Sequence, residues 1–161
     1  MDNSLLAVRD INHKYIVVER RNICKMKKED CIFCKIANGQ IPSKTLYEDD
    51  MFRVILDLGP VAKGHALVIP KEHFDNFYEL PQDWCAKAFC LAQKMVKQMT
   101  EKLHCAGFNI LQNNGEIAGQ TVMHFHIHLI PRYENDGQKI GGKQGSPTQE
   151  ELEAVRKEIC G

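Results

Sequence analysis

What this chain lacks sets its first limits. Lys plus Arg and Asp plus Glu are equal, 21 of each in 161 residues, so the formal net charge is zero. No global field draws nucleic acid or an acidic membrane, and any bound phosphate has to be recognised locally. No apolar run is long enough to span a bilayer. Residues 1–30 hold Arg9, Lys14, Glu19, Arg20 and Arg21 with no continuous apolar stretch, so no signal peptide is expected. The seven cysteines are an odd number, and only Cys31 and Cys34 have the spacing of metal ligands. These features predict a cytoplasmic protein with reduced thiols that binds neither nucleic acid nor membrane. Internal repeats and low-complexity tracts are absent too. With 43% hydrophobic residues, the length suits one domain and one core.

Against that background, one stretch stands out. In Gln120-Thr121-Val122-Met123-His124-Phe125-His126-Ile127-His128-Leu129-Ile130-Pro131-Arg132, three histidines alternate with Phe125, Ile127 and Leu129. A period of two marks a strand with one polar and one apolar face. The apolar residues can enter a core while the imidazoles point the other way, and Pro131 is expected to close the segment. Imidazole suits proton transfer or nucleophilic attack near neutral pH. The alternatives are a solvent face or a metal site. Alternate residues on one strand face lie about 6.6–7 Å apart, so neighbouring pairs share a metal more easily than all three.

The chain around this stretch reads as mainly strands with one long helix. Residues 1–25 carry no recognisable chemistry and read as an N-terminal extension without defined structure, although residues 11–18 have the β propensity of an extra strand. Residues 31–37 read as a short helix with Asp30 as N-cap, ended by Asn38-Gly39. Residues 44–48 and 52–56 read as a hairpin turning at Asp49-Asp50, and residues 65–69 as a third strand. Residues 81–103 are the main helix, since Trp84, Ala88, Leu91, Met95, Met99 and Leu103 recur every three or four positions. Residues 108–112 form a fourth strand before the histidine stretch. A Gly- and Lys-rich loop then runs through Gly145. Thr148 and Glu151 have capping-box spacing ahead of a C-terminal amphipathic helix, residues 148–161. The order predicts an α+β fold with a mainly antiparallel sheet.

His124-Phe125-His126-Ile127-His128-Leu129-Ile130 resembles the signature of the histidine triad (HIT) family. Cys31-Ile32-Phe33-Cys34-Lys35-Ile36, Gly64-His65-Ala66-Leu67-Val68-Ile69-Pro70-Lys71 and Asn113-Asn114-Gly115 through Gly119-Gln120 resemble its Hint branch in bacterial form. The resemblance covers about residues 29–135, within a domain spanning 26–147. It implies a homodimer, a five-stranded sheet with one long helix and short terminal helices, and a hydrolase acting on a purine nucleotide substrate. A nucleoside phosphoramidate or related nucleoside monophosphate conjugate would be attacked at its α-phosphorus, through a nucleotidyl-histidine intermediate.

By the same resemblance His126 is the nucleophile, His128 contacts phosphate oxygens and His65 is the fourth active-site histidine. Asp57 accepts from the ribose hydroxyls. Asn113, Gly119, Gln120 and Thr121 surround the phosphate, and Phe33, Ile36, Ile41, Ile55 and Leu67 enclose the base. Cys31, Cys34, His73 and His124 are implied as ligands of a structural zinc ion. Gly119-Gln120-Thr121-Val122 also resembles the fragile-histidine-triad branch, which leaves a dinucleoside polyphosphate hydrolase as an alternative. A non-catalytic purine-nucleotide-binding module is the other.

Overall fold

A computed structural model describes residues 6–9, 15–18, 27–139, 141–142 and 144–161. Two short strands come first, β1 (Leu6–Arg9) and β2 (Tyr15–Val18), paired antiparallel with Leu6 opposite Val18. They fall within the extension expected to lack defined structure and form a two-stranded sheet of their own there. Residues 11–14 of the expected strand lie outside the described residues. The order continues with α1 (Ile32–Ala37), β3 (Thr45–Glu48), β4 (Phe52–Leu56), β5 (Ala66–Pro70), α2 (Gln82–Leu103), β6 (Gly107–Leu111), β7 (Ile127–Arg132) and α3 (Gln149–Cys160). Five strands form one antiparallel sheet in the order β3-β4-β5-β7-β6.

Period-two patterning gives each central strand two buried faces. Phe52 and Val54 of β4, Ala66 and Val68 of β5, and Ile127 and Leu129 of β7 join Phe125 on the side covered by α2. Trp84, Ala88, Leu91, Met95 and Met99, one stripe of α2, close that core. Each Val, Leu, Ile, Phe or Met among them contributes roughly 1.5–3 kcal/mol when fully buried. On the opposite face Ile55, Leu67 and Ile69 meet Ile36 and Ala37 of α1, with Phe33 and Ile41 packed at the margin. This second, smaller cluster backs the imidazoles: His128 stands opposite Leu67 in the β5–β7 ladder.

Three local expectations need correction. Asp30 does not cap α1; Cys31 takes the N-cap position and its side chain makes no capping hydrogen bond. The thiol is turned to other partners described below. The histidine stretch is not a strand throughout, because pairing begins only at Ile127. The Phe125 N–H instead donates to the Phe74 carbonyl at 2.6 Å, which draws the lead-in toward the segment after β5. Pro131 does not close the strand either. It sits opposite Phe108, beyond the last β5 partner, Leu129, so its missing N–H interrupts only an unpaired side.

The hairpin turn lies where expected, with Asp49 Oδ1 accepting from the Met51 and Phe52 N–H groups. At α3 the capping box is formed: Glu151 N–H donates to Thr148 Oγ1 at 3.2 Å, and Thr148 N–H to Glu151 Oε2 at 2.8 Å. Among the described residues no helix is long and apolar enough to cross a membrane.

Candidate active site and metal centre

Hydrogen bonds assign each imidazole a tautomer, and the tautomers separate two centres. His126, 4% exposed, donates from Nδ1 to the carbonyl of His124 at 2.7 Å. A carbonyl only accepts, so the proton sits on Nδ1 and Nε2 keeps its lone pair. Burial pushes the His126 pKa below the ordinary value, favouring the neutral ring. Phe33 supports that ring edge-on at 5.0 Å between centroids.

His128 lies next along the chain, 4.8 Å from His126 by ring centroid. The Val61 N–H donates to His65 Nδ1 at 3.3 Å, so His65 carries its proton on Nε2 and donates it to His128 Nδ1 at 2.9 Å. His128 therefore presents Nε2–H, a donor suited to an anionic oxygen. Burial pushes His128 down to about 4, with the neighbouring His126 and His65 rings adding to the effect. Asp57 Oδ2 approaches His65 Nδ1 at 3.6 Å, while its Oδ1 accepts from the Gly59 N–H at 2.8 Å.

The second centre gathers Cys31, Cys34, His73 and His124, and all four candidate metal ligands meet there. His124 Nδ1 lies 3.4 Å from Cys31 Sγ, 3.5 Å from Cys34 Sγ and 3.2 Å from His73 Nδ1. Cys34 Sγ is 3.3 Å from His73 Nδ1. Tetrahedral bonds of about 2.3 Å to sulfur and 2.0–2.1 Å to nitrogen place sulfur and nitrogen ligands, or two nitrogens, roughly 3.3–3.6 Å apart. These four separations lie close to that spacing, and all four ligand atoms fall within 4.8 Å of one another.

The outer nitrogens say the same. His124 Nε2 donates to the Pro70 carbonyl at 3.0 Å, and His73 Nε2 to Asp75 Oδ1 at 2.6 Å. Both Nδ1 lone pairs are thereby turned toward each other, which a cation between them resolves. Hydrogen bonding of the outer ring nitrogen is the usual support of a metal-bound histidine. Asp75 went unnoticed in the sequence, although a carboxylate two residues past a candidate His ligand was a usable signal.

The remaining candidates fall into three groups. Phe33, Ile36, Ile41, Ile55 and Leu67 come together in the smaller apolar cluster on the imidazole face. Asn113 and Gly119 face each other across the loop, Asn113 Nδ2 donating to the Gly119 carbonyl at 3.4 Å. Glycine is needed at Gly115 and Gly119, whose φ values of 82° and 87° bracket a 3-10 turn. Thr121 is exposed, whereas Gln120 is 1% exposed with its amide turned into the protein. The N–H groups of Ala118, Gly119 and Gln120 already donate within the loop.

Comparison with known proteins follows the same pattern. Residues 38–135 match the model of the HIT domain. An uncharacterized HIT-like protein of Methanocaldococcus jannaschii is 47% identical over 131 residues, 81% of this chain and 99% of that protein. The adenosine 5'-monophosphoramidase hnt1 of Schizosaccharomyces pombe is 43% identical over 130 residues, covering 80% of this chain and 95% of that one. Among solved structures, a Zn-bound histidine triad family protein from Mycobacterium smegmatis superposes with a TM-score of 0.65 at 35% identity, covering 81% of this chain and 94% of that one.

Proposed function

This chain belongs to the histidine triad family, and on that premise we propose that it is a nucleotide hydrolase of the Hint type, acting on a nucleoside phosphoramidate or related nucleoside monophosphate conjugate. The observation that carries the reading is the His126 hydrogen bond to the His124 carbonyl, which leaves a neutral ring with Nε2 free to attack. In the first step Nε2 forms a bond to the α-phosphorus, the bond to the amine breaks, and the amine departs with a proton taken from solvent, which the second step returns. Water then attacks the nucleotidyl-histidine, releasing nucleoside monophosphate and restoring His126. His128 Nε2–H meets the charge that builds on the phosphate oxygens, and His65 holds His128 in the donating tautomer. Asp57 serves the ribose, the apolar cluster around Phe33 the base, and the loop that carries Asn113, Gly119 and Thr121 the phosphate, with the Gln120 amide turned into the protein behind it. The relation to a named monophosphoramidase supports the substrate class.

The Cys31, Cys34, His73 and His124 cluster would hold a structural zinc ion, pinning the start of α1 to the ends of β5 and of the histidine lead-in. The donor set and its spacing support this, as does the Zn-bound relative. A homodimer belongs to the same reading: β6 is an edge strand with Ile110 43% exposed, an open ladder that a second copy can cover. So do a HIT domain over residues 26–147 preceded by an extension, and cytoplasmic residence.

A substrate panel tests the assignment. Adenosine phosphoramidates should be turned over at least tenfold more efficiently, by kcat/KM, than dinucleoside polyphosphates. The reverse order would favour the fragile-histidine-triad alternative. Tight AMP binding with no turnover of either would make the chain a binding module.

A further inference from the structure

We infer that Gln120 is a positioning residue that couples the Cys2His2 centre to the phosphate loop, and that it does not contact nucleotide. The inference rests on the reading that this centre holds a metal and that the loop meets a nucleotide phosphate. Gln120 is 1% exposed, and its amide is committed on both sides. Nε2 donates to the Asp75 carbonyl at 2.6 Å and to the Val122 carbonyl at 3.1 Å. Oε1 accepts from the Gly115 N–H at 2.9 Å. Both Nε2 hydrogens are thus spent inside the protein, and none is left for a ligand.

Those partners belong to two different machines. Gly115 opens the 3-10 turn of the loop, and Val122 leads into the histidines. Asp75 belongs to the segment that supplies the metal centre: its side chain accepts from His73 Nε2 at 2.6 Å, while its own carbonyl accepts from Gln120. Two residues later the Phe77 N–H donates to Asn114 Oδ1 at 2.8 Å, a second tie from this segment to the loop. A metal that fixes His73 therefore fixes Asp75, and Asp75 fixes the loop through one buried amide. Coupling then follows where both sites bias the equilibrium of the same element, here the loop that Gln120 holds.

The experiment is calorimetric titration of AMP into metal-loaded and metal-free protein, wild type and Gln120→Ala. In wild type, removing the metal should weaken AMP binding roughly fivefold or more. In loaded Gln120→Ala, affinity should already be reduced, and metal removal should change it little further. An equal effect of metal in both proteins, or none in wild type, would overturn the inference. Amide exchange on the metal-loaded proteins keeps the test decisive if a metal-free form unfolds. Gly115 N–H should be protected in wild type and at least tenfold less so in Gln120→Ala, with β4 and β5 amides unchanged. Retained Gly115 protection would also overturn it. Protein that takes up no metal or binds no AMP defeats the functional reading, and this inference with it. Protein that does both without coupling defeats the inference alone.

Discussion

At His126 a single hydrogen bond decides which nitrogen keeps its lone pair, and on the proposed mechanism that nitrogen is the nucleophile. Replacing the ring by Ala removes the bond-forming atom, and kcat should fall by roughly 10³-fold or more, with far less effect on AMP affinity. His128→Ala removes a donor to developing charge and should cost about 10²–10³ in kcat. Steady-state kinetics and AMP titration of the two variants check both, and equal losses in each would show that the roles are not divided this way. The alternation with Phe125, Ile127 and Leu129 made these imidazoles legible in the sequence, since only a core-facing period produces it. Gln120 was not legible in the same way. A Gln beside a glycine loop suits a ligand as well as a brace, and its partner Asp75 lies 45 residues earlier.

Between elements, the Cys31, Cys34, His73 and His124 cluster draws on α1, the segment after β5 and the lead-in to β7. That sharing explains why the strand begins at Ile127: His124 is turned to the thiols and the Pro70 carbonyl. Pattern alone could not reveal this, because a strand and an extended lead-in share the period of two. It did reveal the α2 stripe and the α3 capping box, where local geometry decides the outcome. One zinc per chain is expected by elemental analysis. Cys31→Ser should lose the ion and show a lowered melting temperature, because a structural metal contributes to folding free energy. Loss of zinc with unchanged melting would show that the ion is not structural.

Over the whole molecule, the sheet keeps its large core on the α2 face and its ionisable groups on the other. Burial there makes stability depend on pH. His128 is held at about 4 and His65 below its ordinary value, both mainly by desolvation, whereas unfolded imidazoles titrate near 6.5. The unfolded chain takes up these protons first on acidification. Stability is therefore full above about pH 6.5 and declines toward about 4. Urea midpoints should fall across that window, with a shallower slope in His128→Asn; an identical slope would remove His128 from the explanation. The most direct test of the account is rapid quenching of the wild-type protein with radiolabelled adenosine phosphoramidate, followed by peptide mapping. An acid-labile, base-stable adduct should form on His126. An adduct on His124 or His128, or normal turnover by His126→Ala, would contradict it.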